Sequence, residues 1–207
     1  MLIGLGAGKT AARGIRALAE RVREDNLDIE CVAASEVTEE LGRELGLKIA
    51  QFAAVEQLDI LIDGADEVDK QMQVMKGSRG AMTRERILAW ASKRTVFMVD
   101  AHKATDKIGT HTPLPVAVMA FGLTSTRKGI RELGLRGVCR RQMDGDFFIT
   151  DNGNLVIDIE LTGNEDLSLL ASQLNDLPGV IDHGLFLTEA DTILIDRNGE
   201  VERLERE

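Results

Sequence analysis

Leu58-Asp59-Ile60-Leu61-Ile62 runs directly into Asp63-Gly64-Ala65-Asp66-Glu67. An apolar run that ends abruptly in Asp-Gly reads as a buried parallel strand opening into a loop at its carboxyl end. That edge is where open α/β sheets build their sites. Nine residues downstream of the acidic run comes Lys76-Gly77-Ser78-Arg79-Gly80-Ala81-Met82-Thr83-Arg84-Glu85, a glycine loop leading into a helix. Carboxylates, a lysine and a further glutamate therefore fall within the span Asp63–Glu85. Such a set can move protons and hold a charged oxygen without a metal.

The same alternation extends to both sides. Met1-Leu2-Ile3 feeds Gly4-Leu5-Gly6-Ala7-Gly8, and from Lys9 the apolar residues Ala11, Ile15, Leu18, Ala19 and Val22 fall at helical spacing. Ile29 to Ala34 reads as a second strand, Thr38 to Leu45 as a helix closed by Gly46, and Leu47 to Ile49 as a short strand. Thr83 to Ser92 reads as a helix and Thr95 to Val99 as another buried strand. Strand and helix in turn predict an α/β fold: a Rossmann-like, doubly wound, mostly parallel sheet.

The rhythm changes at Thr112-Pro113-Leu114-Pro115, a junction signal. Beyond it the pattern predicts a strand at 116–119, a helix at 125–133, a strand at 138–142, and a hairpin of 147–150 and 155–160 around Asp151-Asn152-Gly153. A helix follows at 167–174, ended by Pro178-Gly179. This is a smaller α+β, ferredoxin-like domain. The expected division is 1–112 plus 184–207 for the Rossmann-like catalytic domain and 113–183 for the small one. The tail from Leu185 to Leu204 holds two or three strand-like runs that could return to either sheet.

Composition excludes several function classes. The net charge of −10 argues against nucleic acid and anionic membrane, which call for clustered Lys and Arg. A local basic cluster can still hold a small anion. Aromatic residues are only 3%, too few for base-stacking platforms. Two cysteines and three histidines share no metal-ligand spacing, so neither a metal nor another cofactor is expected. No signal peptide is read and no apolar run approaches the roughly 20 residues of a membrane span. The expected compartment is a reducing cytoplasm.

Each candidate has a bland reading. Gly4 to Thr10 fails the nucleotide P-loop, whose first glycine would fall on Ile3, and fails the dinucleotide fingerprint, whose third glycine would fall on Lys9. What remains is a glycine turn before a helix start carrying Lys9 and Thr10, which suits one phosphate; otherwise it is a tight βα turn. Asp63, Asp66 and Glu67 could form a solvated acidic loop. Lys76 could be a surface lysine, and Glu85 could merely favour the helix dipole. Lys103, in Asp100-Ala101-His102-Lys103, is a better anion binder than His102 is a catalyst.

These residues resemble a known family, ribose-5-phosphate isomerase type A. Asp63 to Glu67 is similar to its Asp-Gly-Ala-Asp-Glu motif, and Lys76 to Glu85 to its Lys-Gly-Gly-Gly-Ala-Ala-Leu-Thr-Arg-Glu motif. Ile149 to Asn154, Pro178 to Val180 and Gly184 to Phe186 resemble its later signatures. The likeness covers nearly the whole chain. It implies a metal-independent aldose–ketose isomerase acting on a sugar phosphate through an enediol. It implies Glu85 as the base between C1 and C2, Asp63 near the sugar hydroxyls, Lys76 near the developing enediolate and Asp66 in ring opening. It implies substrate contacts from Ala7, Gly8, Lys9, Thr10, Gly64, Ala65, Gly77, Ser78, Arg79 and Lys103. A homodimer or homotetramer is expected with it.

The chain departs from the family pattern in places. The family's turn reads Gly-Thr-Gly-Ser-Thr, where this chain has Gly6-Ala7-Gly8-Lys9-Thr10. Ser78 and Arg79 stand where the family carries small glycines, and the helix expected ahead of the first strand is lacking. Two other readings stay open: an isomerase of a different sugar phosphate, and a phosphosugar-binding regulator without turnover. A methyltransferase, suggested by Gly4 to Gly8, lacks the acidic residue expected at the end of the second strand, where Ala33-Ala34-Ser35 stands.

Overall fold

The computed structural model describes residues 1–206. In chain order the elements are β1 (Leu2–Leu5), α1 (Gly8–Glu24), β2 (Glu30–Ala33), α2 (Glu36–Glu44), β3 (Ile60–Gly64), β4 (Glu67–Val68), β5 (Val74–Met75), α3 (Met82–Ala91) and β6 (Thr95–Asp100). They continue with β7 (Leu114–Val118), α4 (Leu123–Glu132), β8 (Arg136–Cys139), β9 (Leu155–Glu160), α5 (Leu167–Asn175), β10 (Val180–His183), β11 (Leu185–Phe186), β12 (Thr192–Arg197) and β13 (Glu200–Glu205). Among the described residues no helix is long and apolar enough to cross a membrane.

The chain divides into two compact units. The first comprises Met1–Ala65, Arg84–Ala104 and Thr188–Glu207, and the second comprises Asp66–Thr83 and Thr105–Leu187. The second unit thus contains the expected 113–183 together with 66–83, 105–112 and 184–187.

The first unit is built on a six-stranded sheet ordered β13-β12-β6-β3-β1-β2. All its pairings are parallel except β12 with β13. Period 3.6 in α1 buries Ala11, Ile15 and Ala19 and leaves its charges outward. Ile15 and Ala19 pack with Ile3, Leu5, Ile29, Cys31 and Leu47 into one core. Each fully buried Ile or Leu is worth about 1.5–3 kcal/mol relative to exposure. Ser35 caps α2, its hydroxyl accepting from the Thr38 amide at 3.1 Å. The tail joins this sheet: β12 and β13 form a hairpin around Asn198 and Gly199, both with positive φ, the backbone that an Asn-Gly turn favours. Leu47–Ile49 forms no strand; Ile49 makes a single parallel bridge to Cys31.

The second unit holds a four-stranded antiparallel sheet ordered β10-β7-β9-β8. Its chain order, β7-α4-β8-β9-α5-β10, is the ferredoxin-like βαββαβ pattern. Its core gathers Val116, Val118, Ile130, Ile157, Ile159 and Leu174. Pro115 lies inside β7 rather than before it. It is tolerated there because β10 pairs with β7 only from Val116 onward, so the missing N–H falls past that ladder's end. Residues 147–150 do not form the expected hairpin strand. They make isolated bridges, Phe147 with Arg141 and Ile149 with Leu155. A second, three-stranded sheet, β11-β5-β4, consists of two-residue strands that leave no periodic trace in the sequence.

Candidate active site

The first unit carries the βα turn, Asp63 and Glu85. At the carboxyl end of β1 the chain turns through Gly6, Ala7 and Gly8 into α1. Ala7 is extended as the N-cap residue and Gly8 has φ +92°. Asp63, the fourth residue of β3, is fully buried. Its Oδ1 accepts from the Ala7 amide at 3.0 Å and from the Gly64 amide at 2.7 Å. Gly6 makes this possible: a Cβ there would lie 1.9 Å from Asp63 Oδ1. Its carbonyl in turn accepts from Thr38 Oγ1 at 3.0 Å. The loop is therefore held on both sides by groups from neighbouring strands and helices.

The first turn of α1 has no acidic side chain and contains Lys9 and Thr10. Helix N-termini carry unsatisfied N–H groups and partial positive charge, and here no carboxylate of the helix itself neutralises them. Gly64 lies beside this turn: a Cβ on it would sit 3.4 Å from Thr10 Cβ, an ordinary contact. Lys103, in the short helical turn after β6, donates its Nζ to the Ala65 carbonyl at 2.5 Å. Next to it, the Arg13 guanidinium bonds Asp100 at 2.6 Å and holds that carboxyl below its ordinary range, with His102 and Lys103 adding to the effect. Glu85 lies in the first turn of α3 and is 3% exposed. Its neighbour Arg84 pairs with Glu36 at 3.7 Å.

The second unit carries Asp66, Lys76 and the glycine loop. Lys76 is 3% exposed, and its amide donates to Gly184 O at 2.9 Å. Gly184 has to be glycine, because a Cβ would meet Lys76 O at 2.2 Å. Asp66 accepts from both groups of Ser78, the amide at 2.9 Å and the hydroxyl at 2.5 Å. Gly77 and Gly80 have φ +102° and +76°, and the Gly80 amide closes the turn on Gly77 O at 2.9 Å. Arg79 is exposed. Outside the loop, Arg140 Nη1 donates to the carbonyls of Gly77 and Ser78, both at 3.0 Å.

Two bland readings are overturned. The acidic run is not a solvated loop: Asp63 and Glu67 are fully buried. Lys76 is not a surface lysine. Glu67 has an architectural role that the sequence did not reveal. Its carboxylate accepts from the amides of Gly109, Thr110, His111 and Thr112 and from the Thr112 hydroxyl, at 2.5–3.2 Å. One buried carboxylate thus pins a whole turn, the pairing that burial of a charge demands. Arg140 is likewise a residue the sequence reading missed. It lies 64 positions beyond Lys76, in a stretch read only as strand. Among the described residues no three His, Cys, Asp or Glu side chains are grouped to hold a metal ion.

Comparison with known proteins identifies the lineage. Residues 30–200 match the family described as Ribose 5-phosphate isomerase A (phosphoriboisomerase A). The chain belongs to that family. It is 41% identical over 98% of its length to a Ribose-5-phosphate isomerase A of Dinoroseobacter shibae, of which it covers 80%. It is 39% identical over its full length to one of Rhodopseudomonas palustris, of which it covers 90%. Among solved structures, ribose 5-phosphate isomerase A of Methanocaldococcus jannaschii superposes with a TM-score of 0.94 at 31% identity, covering all of this chain and 91% of that one. Membership of the ribose 5-phosphate isomerase A family makes this chain an isomerase with an α/β fold.

Proposed function

We propose that this isomerase interconverts D-ribose 5-phosphate and D-ribulose 5-phosphate through an enediolate, with Glu85 as the base and no metal. The observation that supports this best is the burial of three charged side chains at the family's motif positions. Asp63 is 0% exposed, and Lys76 and Glu85 are each 3% exposed. Burying charge is costly, and folds retain it where the charge performs chemistry or, as at Glu67, where it pins a turn; the three residues here stand at the family's motif positions.

In this reading the Glu85 carboxylate removes the proton from C2 of the open-chain aldose. The C–H electron pair forms the C1–C2 double bond, and the carbonyl pair moves onto O1. Glu85 returns the proton to C1, the O2 hydroxyl proton leaves as the ketone forms, and O1 is protonated. A positioned base contributes about 10²–10⁴ in rate. The Lys76 ammonium stabilises the oxyanion, where one well-placed donor is worth about 3–4 kcal/mol. Asp63 orients the sugar hydroxyls. Asp66, both of whose oxygens accept from Ser78, assists ring opening. The phosphate binds at Gly8, Lys9 and Thr10 with Lys103, while Ala7, Gly64, Ala65, Gly77, Ser78 and Arg79 line the substrate. The reading includes a cytoplasmic location, in keeping with two buried, free cysteines. It also includes a homodimer or homotetramer. Ile87 and Trp90, three apart on α3 and 44% and 85% exposed, offer apolar surface that a second copy would cover. A solution mass of 22.6 kDa would exclude the oligomer.

Ketose formation from ribose 5-phosphate, with and without a strong chelator, tests the function. Turnover should persist in chelator, and Glu85→Gln should lower kcat by about 10² or more with ligand affinity little changed. Metal-restored activity, or near-full kcat in the variant, would overturn the mechanism. Ser78 and Arg79 keep a second reading in play, an isomerase of another sugar phosphate. A higher kcat/KM on a different aldose phosphate would favour it.

A further inference from the structure

Lys76 to Gly80 is a loop with two left-handed glycines, yet its peptide planes are fixed from outside. The Gly77 carbonyl accepts from Arg140 Nη1 and from the Gly80 amide, and the Ser78 carbonyl accepts from the same Arg140 nitrogen. On the opposite side the Ser78 amide and hydroxyl bind Asp66. The 77–78 peptide is thus gripped at both its C=O and its N–H.

Arg140 is itself immobilised. Its Nε and Nη2 form a bidentate pair with Asp158 of β9 at 2.9 and 2.5 Å, and the two side chains are 15% and 22% exposed. Its guanidinium stands 5.4 Å over the Phe148 ring. Phe148 packs against Gly80 so closely that a Cβ there would be 2.4 Å from its Cε1. Backbone bonds from Arg140 N to Val156 O and from Phe148 N to Arg140 O, at 2.8 and 3.0 Å, fix the clamp to the antiparallel sheet. A guanidinium that satisfies a carboxylate with one edge and two main-chain carbonyls with another nitrogen makes a planar, directional joint that an ammonium cannot reproduce.

The consequence is directional. In a trans peptide the C=O and N–H point opposite ways, and among the described residues no peptide bond is cis. Holding the Ser78 carbonyl on Arg140 therefore aims the Arg79 N–H away from the clamp. That N–H has no acceptor among the described residues.

We propose that Arg140, oriented by Asp158, is a positioning residue of the isomerase: it sets the Gly77–Gly80 backbone so that the Arg79 N–H is a fixed donor to an oxygen anion of the reacting sugar phosphate. This rests on the isomerase reading above. Neither Arg140 nor Asp158 touches substrate. They act through the loop, and their effect falls on the step in which charge develops.

The test compares wild type with Arg140→Lys and Asp158→Asn by three measurements. With ribose 5-phosphate, kcat should fall about 10–100-fold in each variant while KM stays within about threefold. Ribitol 5-phosphate, which has no carbonyl and forms no enediolate, should bind within about threefold of its wild-type affinity. In the free protein, amide exchange across Lys76–Met82 should accelerate severalfold, with other segments and the melting temperature little changed. A kcat within twofold of wild type, or a loss that follows only the folded fraction, would overturn the proposal. If wild type itself turns over no ribose 5-phosphate, the isomerase reading fails on its own. The clamp is then judged by exchange: unchanged protection of Lys76–Met82 in both variants would refute it.

Discussion

The two glycine loops reach similar ends by different means. In the loop after β1 a carboxylate from the next strand of the same sheet, Asp63, binds the Ala7 amide, and Gly6 is glycine because that carboxylate lies where its Cβ would be. In the loop after β5 a carboxylate also binds an amide, Asp66 to Ser78. There the glycines are imposed by positive φ, and the carbonyls are held by Arg140, more than 60 positions away. The first loop is held from the parallel-sheet unit, by Asp63 of β3 and Thr38 of α2. The second is held from the antiparallel sheet of its own unit, so a single change in that sheet reaches it.

That difference ranks the substitutions. Gly6→Ala attacks the first loop at its tightest point, where either Asp63 or the turn must move. We expect kcat/KM to fall about 100-fold or more, with a stability loss of roughly 1–3 kcal/mol from overpacking. Activity within a few-fold of wild type would show that the Asp63–Ala7 contact is dispensable. Next in size is Glu67→Gln, which leaves both loops intact and serves as the structural control. Replacing the carboxylate places an NH₂ among five donors and leaves buried amides unsatisfied, at a cost of about 2–4 kcal/mol in unfolding free energy. The kcat of the folded fraction should change by less than about threefold. A large kcat loss at unchanged stability would move Glu67 from architecture into the reaction.

The same contrast explains what could be read from the sequence. β3 and β6 were legible because a parallel strand buried on both faces is a continuous apolar run. α1 was legible from its period. Asp63 and Glu85 were marked by position, one ending a strand and the other beginning a helix. The sheet of β4, β5 and β11 was not legible, since two-residue strands carry no period. Pro115 was read as a boundary because sequence alone does not show where a neighbouring strand stops pairing. Glu67 lay inside the motif, yet its partners at 109–112 are separated from it by β5, α3 and β6, and nothing in its spacing points to them. Arg140 shows the limit most clearly. Its role depends on three-dimensional register with Asp158, and an arginine at the end of a strand has no signature that distinguishes it from a surface charge.

The smallest expected effects belong to the two cations that depart from the family pattern, and they separate side chain from backbone. Lys9→Ser and Arg79→Gly return the family's residue types. Lys9 sits in the first turn of α1 and Arg79 is exposed in the second loop. If each side chain contributes a charge-assisted contact to a dianionic phosphate, each variant should raise KM about three- to tenfold and leave kcat less affected. Added salt or inorganic phosphate should weaken wild-type binding more than binding by the variants. Arg79→Gly keeps the 79 amide and keeps Arg140 on the Ser78 carbonyl, so its kcat should hold where that of Arg140→Lys falls. If Arg79→Gly instead raises kcat/KM on ribose 5-phosphate, the Arg79 side chain obstructs that sugar. The second loop would then be shaped for a different phosphosugar, and the substrate assignment, though not the isomerase chemistry, would have to change.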